Sequence, residues 1–104
     1  MTENEMKAAT LDSLEDAIPT LPEVEATFAV EIFGQRCRDS ERVRRVATPF
    51  LSHPKAYVRE GAIYALRYHL DADLVTTIET MAKSDPSTTI RDIAVETLAA
   101  LDLE

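Results

Sequence analysis

Apolar side chains recur at helical spacing through most of the chain, which predicts a succession of amphipathic helices and no sheet. Leu74, Val75, Ile78, Met81 and Ala82 fall on one stripe. Ahead of them Asp71 or Asp73 offers the short carboxylate that caps a helix by accepting from its free first-turn N–H groups. Asp85-Pro86-Ser87 ends that helix, because proline disfavours helical geometry in the residue before it. The next helix carries Ile90, Ile93, Ala94, Val95, Leu98 and Leu101. Upstream, Glu41 to Leu51 reads as a helix with Val43, Val46, Ala47, Phe50 and Leu51 apolar, and Pro49 should kink it or displace its last turn. His53-Pro54 makes a break, after which Ala56 to Leu70 forms a helix on Val58, Ala62, Ile63, Leu66 and Leu70. A helix from about Pro22 to Cys37 begins with proline near its first position. Val24, Phe28 and Ile32, together with Ala26, Val30, Phe33 and Cys37, give it a broad apolar face. Residues 1–18 hold Met6, Leu11, Leu14 and Ile18, either as a further helix or as a frayed end.

The last four helices are two copies of one pair. Moving the chain along itself so that Ser52 meets Ser84 brings SHPKAYVREGAIYAL onto SDPSTTIRDIAVETL. Pro54 then meets Pro86, Arg59 meets Arg91, Ala62 meets Ala94 and Leu66 meets Leu98, while Val58/Ile90, Glu60/Asp92 and Ile63/Val95 are conservative exchanges. The positions held in common are apolar and turn residues, the ones a structural unit has to keep. The expected organisation is a single domain over 1–104: an N-terminal segment (1–21), a capping helix (22–38), a first repeat (41–70) and a second (71–104).

These two stretches, 53–66 and 85–98, resemble the HEAT and HEAT-like (phycobilisome-lyase-type) repeats, whose signature is an Asp in the turn, an aliphatic-Arg pair after it, then Ala and Leu down the second helix. Asp85, Ile90, Arg91, Ala94 and Leu98 match it fully; Val58, Arg59, Ala62 and Leu66 match it in the first copy, where His53 stands in place of the Asp. The resemblance covers roughly residues 41–101. It implies an all-α fold, a short α-α solenoid of two helical hairpins behind an N-terminal cap, in which Asp85, Arg59 and Arg91 are structural residues tying successive hairpins together. The loss of Asp at position 53 should then weaken one such tie or mark an end of the stack. A lone hairpin cannot bury its apolar face, so so short a stack needs its N-terminal helices as a cap.

Composition narrows the function. Of 104 residues, 45 % are hydrophobic and 29 % charged, which is a globular balance. No apolar run suggests a membrane span, no leader pattern is visible in MTENEMKAAT, and a single cysteine, Cys37, fits a reducing, cytoplasmic setting. The net charge of −8 disfavours general nucleic-acid binding. It is spread unevenly: eight acids face one base in residues 1–34, eight bases face three acids in 35–69, and eight acids face two bases in 70–104. His53, His69 and Cys37 have no metal-ligand spacing, and Gly34 and Gly61 make no phosphate loop. His53 reads as a turn residue, His69 as a cation near a helix C-terminus, and Cys37 as a small buried hydrophobe. No catalytic residue, metal site or cofactor is expected.

Two surfaces stand out. Tyr57, Tyr64 and Tyr68 share a helix face with Gly61, flanked by Glu60 and Arg67. In HEAT-like stacks the second helices line the concave surface, so these residues are candidate partner contacts, Tyr and Arg being favoured at interface hot spots; the alternative is packing under the N-terminal helix with hydroxyls reaching solvent. Arg36, Arg38, Arg42, Arg44 and Arg45 form a basic turn able to grip carboxylates or phosphates, or simply to answer the acidic N-terminal segment. The function expected is a non-catalytic protein-binding module: an adaptor, a regulator or a small inhibitor of the immunity-protein kind. The other reading is a nucleic-acid binder using the Arg36–Arg45 turn. An enzyme of the bilin-lyase or DNA-glycosylase type, as found among HEAT-like relatives, would need a cleft this chain is short to supply.

Overall fold

A computed structural model describes residues 1–101, and they are all-helical, with no strand among them. Their contacts group the chain into two compact units, Met1–His69 and Leu70–Glu104.

The first unit opens with α1 (Glu3–Ala8) and α2 (Leu11–Ala17), two short helices where the sequence suggested one helix or a frayed end. Each has its own cap: Thr2 and Glu5 form a reciprocal capping box, and the Thr10 hydroxyl accepts from Ser13 N–H. The chain therefore restarts at Thr10, and Met6, Leu14 and Ile18 still turn inward and are buried. A 3-10 turn at Ile18–Thr20 leads to α3 (Glu23–Arg36), whose N-cap is Pro22. The helix α4 (Ser40–Ala47) is capped by Asp39, whose carboxylate accepts from Arg42 N–H, and stops four residues short of the expected Leu51. Pro49 displaces the last turn into a 3-10 segment, Thr48–Ser52, that still buries Leu51.

The helix α5 (Ala56–Leu66) ends before the expected Leu70. The reason is His69. Its main-chain N–H bonds back to Leu66 O, and its ring turns inward, buried, so that Nε2–H donates to Gly34 O at 2.8 Å. Nδ1 lies 2.8 Å from the Ser40 hydroxyl. His69 is thus not a solvated side chain at a helix end; it clamps the C-terminal end of α3 to the start of α4. Arg44 adds a bond to His69 O at 2.9 Å.

Within this unit α3 and α5 run parallel. Tyr57 touches Glu23 at their N-terminal ends, Gly61 faces Thr27 midway, and Gly34 lies on Ala65 near their C-terminal ends. α4 starts beside His69 and returns to the head of α5, so it runs against both. Two glycines permit the close approach: a Cβ on Gly34 would stand 2.4 Å from Ala65 O, and one on Gly61 would stand 2.6 Å from Thr27 Cγ2. The buried positions of α3 repeat those of α5 when Ala29 is set on Ala62: Val30 then falls on Ile63, Ile32 on Ala65 and Phe33 on Leu66, all buried. This register is one residue longer than that between Ser52 and Ser84, which hid it from the sequence comparison. Phe33 is fully buried, and truncating such a side chain costs about 3–5 kcal/mol.

The second unit holds α6 (Ala72–Ser84), capped by Asp71 through Leu74 N–H, and α7 (Thr88–Leu101) packed on it. Leu74, Ile78 and Met81 of α6 and Ile90, Ile93 and Ala94 of α7 are buried, while Val95 is exposed.

Each repeat arginine donates to a carbonyl of its own turn. Arg59 Nη1 donates to His53 O (2.8 Å) and Pro54 O (3.0 Å), and Arg91 Nη1 donates to Asp85 O (2.6 Å). In each copy the guanidinium reaches back to the carbonyl at the head of the break. Asp85 Oδ1 accepts from Ser87 N–H at 2.9 Å, and His53 Nδ1 accepts from Lys55 N–H at 3.1 Å. The departure from the Asp pattern at 53 therefore leaves the turn bond in place.

Candidate functional site

Sequence places three tyrosines on one face; the structure sorts them. Tyr57 and Tyr64 stand beside α3 and, with Val24, Thr27, Phe28, Glu31, Glu60 and Gly61, line a groove of about 270 Å³ between α3 and α5. Gly61, on the same face, is its buried floor, pressed on Thr27. Tyr68 lies beyond the end of α5, 73 % exposed, outside the groove. Arg67 joins the two regions, its guanidinium lying 5.6 Å from the Tyr64 ring centre and 4.8 Å from that of Tyr68.

The groove is apolar and open. Val24 is 55 % exposed, Phe28 54 % and Tyr57 40 %, so the broad apolar face read from the sequence of α3 is buried only in part. A second depression, lined by Met1, Glu3, Met6, Glu25 and Phe28, adjoins it, with Phe28 common to both. The α3 half of this surface is what sequence reasoning missed. Its signal was present in Val24 and Phe28, four residues apart and set among Glu23, Glu25 and Glu31.

Both ends of the groove are pinned. At the N-terminal end Glu23 gathers three side chains of the turn before α5: Lys55 Nζ at 2.8 Å, the Tyr57 hydroxyl, and His53 Nε2 at 3.3 Å. The Lys55 bond, then that of Tyr57, holds the Glu23 carboxyl below its ordinary range. Glu23 in turn raises the phenol of Tyr57 and the ammonium of Lys55, so that both stay protonated as donors. The C-terminal end is held by His69 on Gly34. Between them, Glu31 is half-buried, and burial raises its carboxyl; Arg67 draws it down, and Glu60 and Glu3 raise it further.

The basic turn is used within the unit. Arg42 donates to Asp12 (2.6 Å) and Glu15 (2.7 Å) of α2 and lies over Phe33; those carboxylates raise its already high pKa. Arg36 donates to Met6 O at 2.9 Å, Arg44 to His69 O, and Arg45 is 3.7 Å from Glu15. Arg38 is exposed. Of five arginines that looked like one patch, three, Arg36, Arg42 and Arg45, thus fasten α1 and α2 to the rest of the unit.

Among the described residues no group of three or more His, Cys, Asp or Glu could hold a metal ion. Cys37 is buried, its Sγ 3.7 Å from Asp39 O. No helix among the described residues is long and apolar enough to cross a membrane. Compared with known proteins, the chain matches no family model, no curated protein and no solved structure.

Proposed function

We propose that this chain is a non-catalytic protein-binding module, a short HEAT-like helical stack that receives a segment of a partner in the groove between α3 and α5. One observation carries the reading: an apolar and aromatic surface, with Val24, Phe28 and Tyr57 exposed and Tyr64 half-buried beside them, lies between two helices pinned at both ends. Exposed apolar residues grouped on a fixed frame are where association is favourable, since water leaves and little side-chain order is lost. Tyr57 and Tyr64 of the expected contact set fall in this groove with Glu60; Arg67 and Tyr68 extend it at one end. The stack architecture is supported by the parallel α3 and α5 with α4 returning between their ends, and by the arginine that closes each turn in the same way. The buried single thiol fits a cytoplasmic setting.

The nucleic-acid reading is disfavoured because Arg36, Arg42, Arg44 and Arg45 already face acceptors of the chain itself. Phosphate binding there would have to displace those contacts.

A peptide library selected on the purified chain and counter-screened on the Val24→Ser/Phe28→Ser variant tests the proposal. Both side chains are more than half exposed, so the variant should keep its helical circular dichroism and melting temperature. Selected peptides should lose roughly tenfold or more in affinity, the scale of a lost hot-spot pair. If they bind the variant as they bind the parent, the groove is not the binding surface.

A further inference from the structure

We infer that the groove takes a cationic amphipathic helix of its partner, its apolar side chains on Phe28, Tyr57 and Tyr64 and its Lys or Arg side chains on Glu31 and Glu60. This rests on the proposed function and names the partner's chemistry.

The shape comes first. The lining residues Val24, Phe28 and Glu31 on α3, and Tyr57, Gly61 and Tyr64 on α5, are spaced as successive turns of two parallel helices. Two such ridges leave a trough that a third helix fills by setting its own ridge between them. An amphipathic helix laid in an apolar groove is also a recurring mode of peptide recognition.

Charge selects the sign. The groove contains two carboxylates and no basic residue. Neither Glu31 nor Glu60 makes a hydrogen bond or ion pair among the described residues. The cations at its two ends are engaged, Lys55 with Glu23 and Arg67 over Tyr64 and Tyr68. In the adjoining depression the carboxylates are already answered, Glu25 by the Met1 terminal ammonium at 2.8 Å and Glu3 by Lys7 at 3.2 Å, so the sign of the surface is set by Glu31 and Glu60 in the groove itself, where an acidic segment would meet like charge. A partner cation, by contrast, would meet Glu31 where burial already disfavours its free charge. Partial removal from water strengthens that pairing over an ordinary surface ion pair.

Fluorescence anisotropy with the full chain tests this. The probe is a labelled helix-forming peptide with leucines along one face and lysines beside them; two counterparts carry Gln or Glu for every Lys. The Lys peptide should bind, the Gln peptide more weakly and the Glu peptide not measurably. The Glu31→Gln/Glu60→Gln variant should bind the Lys peptide roughly tenfold more weakly, as loss of two partly screened ion pairs gives, and the Gln peptide as before. Glu79→Gln/Glu96→Gln changes net charge equally, at exposed positions outside the groove, and should leave Lys-peptide binding close to that of the parent.

The inference fails if the Lys peptide does not bind, if both double Gln variants weaken it alike, or if Lys and Gln peptides bind equally. In that last case, loss of both peptides on Val24→Ser/Phe28→Ser would keep the groove as a binding surface and remove only its preference for cations. Undiminished binding of all peptides by Val24→Ser/Phe28→Ser would remove the groove itself.

Discussion

The turns at 52–55 and 84–87 occupy the same place in two copies of one sequence pattern, yet they keep their side chains for different neighbours. In the second copy three side chains bond within the turn and its helix. Asp85 accepts from Ser87 N–H, the Ser87 hydroxyl accepts from Ile90 N–H at 3.4 Å as a cap for α7, and Arg91 closes on Asp85 O. In the first copy His53 and Lys55 stand in the places of Asp85 and Ser87. His53 keeps the turn bond through Nδ1, but Lys55, at the N-cap of α5, gives the helix no side-chain cap. What the first turn gives up locally it directs elsewhere, because His53 Nε2 and Lys55 Nζ both reach Glu23 of α3. The lesson is that a repeat constrains the acceptor at a position more than the residue that supplies it. A position freed from capping can then fasten one helix to the next.

The arginines are the common part, and removing them should do most damage. Arg59 is 8 % exposed and donates to two carbonyls. Arg59→Ala should cost about 2–3 kcal/mol, the scale of charge-assisted bonds whose acceptors are left buried. Arg91→Ala, at a half-buried site, should cost about 1–2 kcal/mol on the same grounds. Urea unfolding followed by circular dichroism measures both, and an Arg91→Ala loss larger than that of Arg59→Ala would invert the comparison. Next come the turn acceptors. Asp85→Ala leaves Ser87 N–H without its carboxylate at a buried site and should cost about 1–2 kcal/mol, whereas His53→Ala should cost about 0.5–1 kcal/mol. Equal losses would mean that the two side chains are interchangeable as turn acceptors.

These relations also show how far the sequence could be read. α6 was legible almost to the residue, because its stripe (Leu74, Ile78, Met81), its cap (Asp71) and its stop (Asp85-Pro86) are all local. The displaced last turn of α4 was legible from Pro49 for the same reason. The early end of α5 was not, since it depends on a bond from His69 to Gly34 O on another helix. Nor were the partners of Arg42, because periodicity places charges on a face without naming the acids opposite, here Asp12 and Glu15. The groove was half legible. The face of α5 bearing Tyr57 and Tyr64 is a helical repeat, but the matching face of α3 needed its pairing with α5 to be known. The exposure of Val24 and Phe28 contradicts what their apolar character suggests.

Two smaller effects sharpen the contrast further. Lys55→Ser would give α5 the hydroxyl cap that Ser87 gives α7, at the loss of one exposed ion pair with Glu23. Because caps generally outweigh exposed ion pairs, the variant should melt slightly above the parent in a thermal scan. A clear fall would mean that the link to α3 matters more than the missing cap.

The last effect concerns pH. Glu23 has its folded-state pKa lowered by Lys55 and Tyr57 from an ordinary value of 4.5. A carboxyl lowered on folding contributes stability above its unfolded pKa, and that contribution is lost as pH falls through the folded one. The melting-temperature difference between the parent and Glu23→Gln should therefore be constant at neutral pH and shrink only below the unfolded value, as the carboxylate takes up its proton. Lys55 has its pKa raised by the same contact, so the difference should shrink again at high pH as the ammonium is lost. The two titrations share one salt bridge, so added salt should reduce the neutral plateau without moving either edge far. A difference that persists unchanged into acid would mean that Glu23 acts by packing and hydrogen bonding alone, and the first turn would then be fastened to α3 by shape and not by charge.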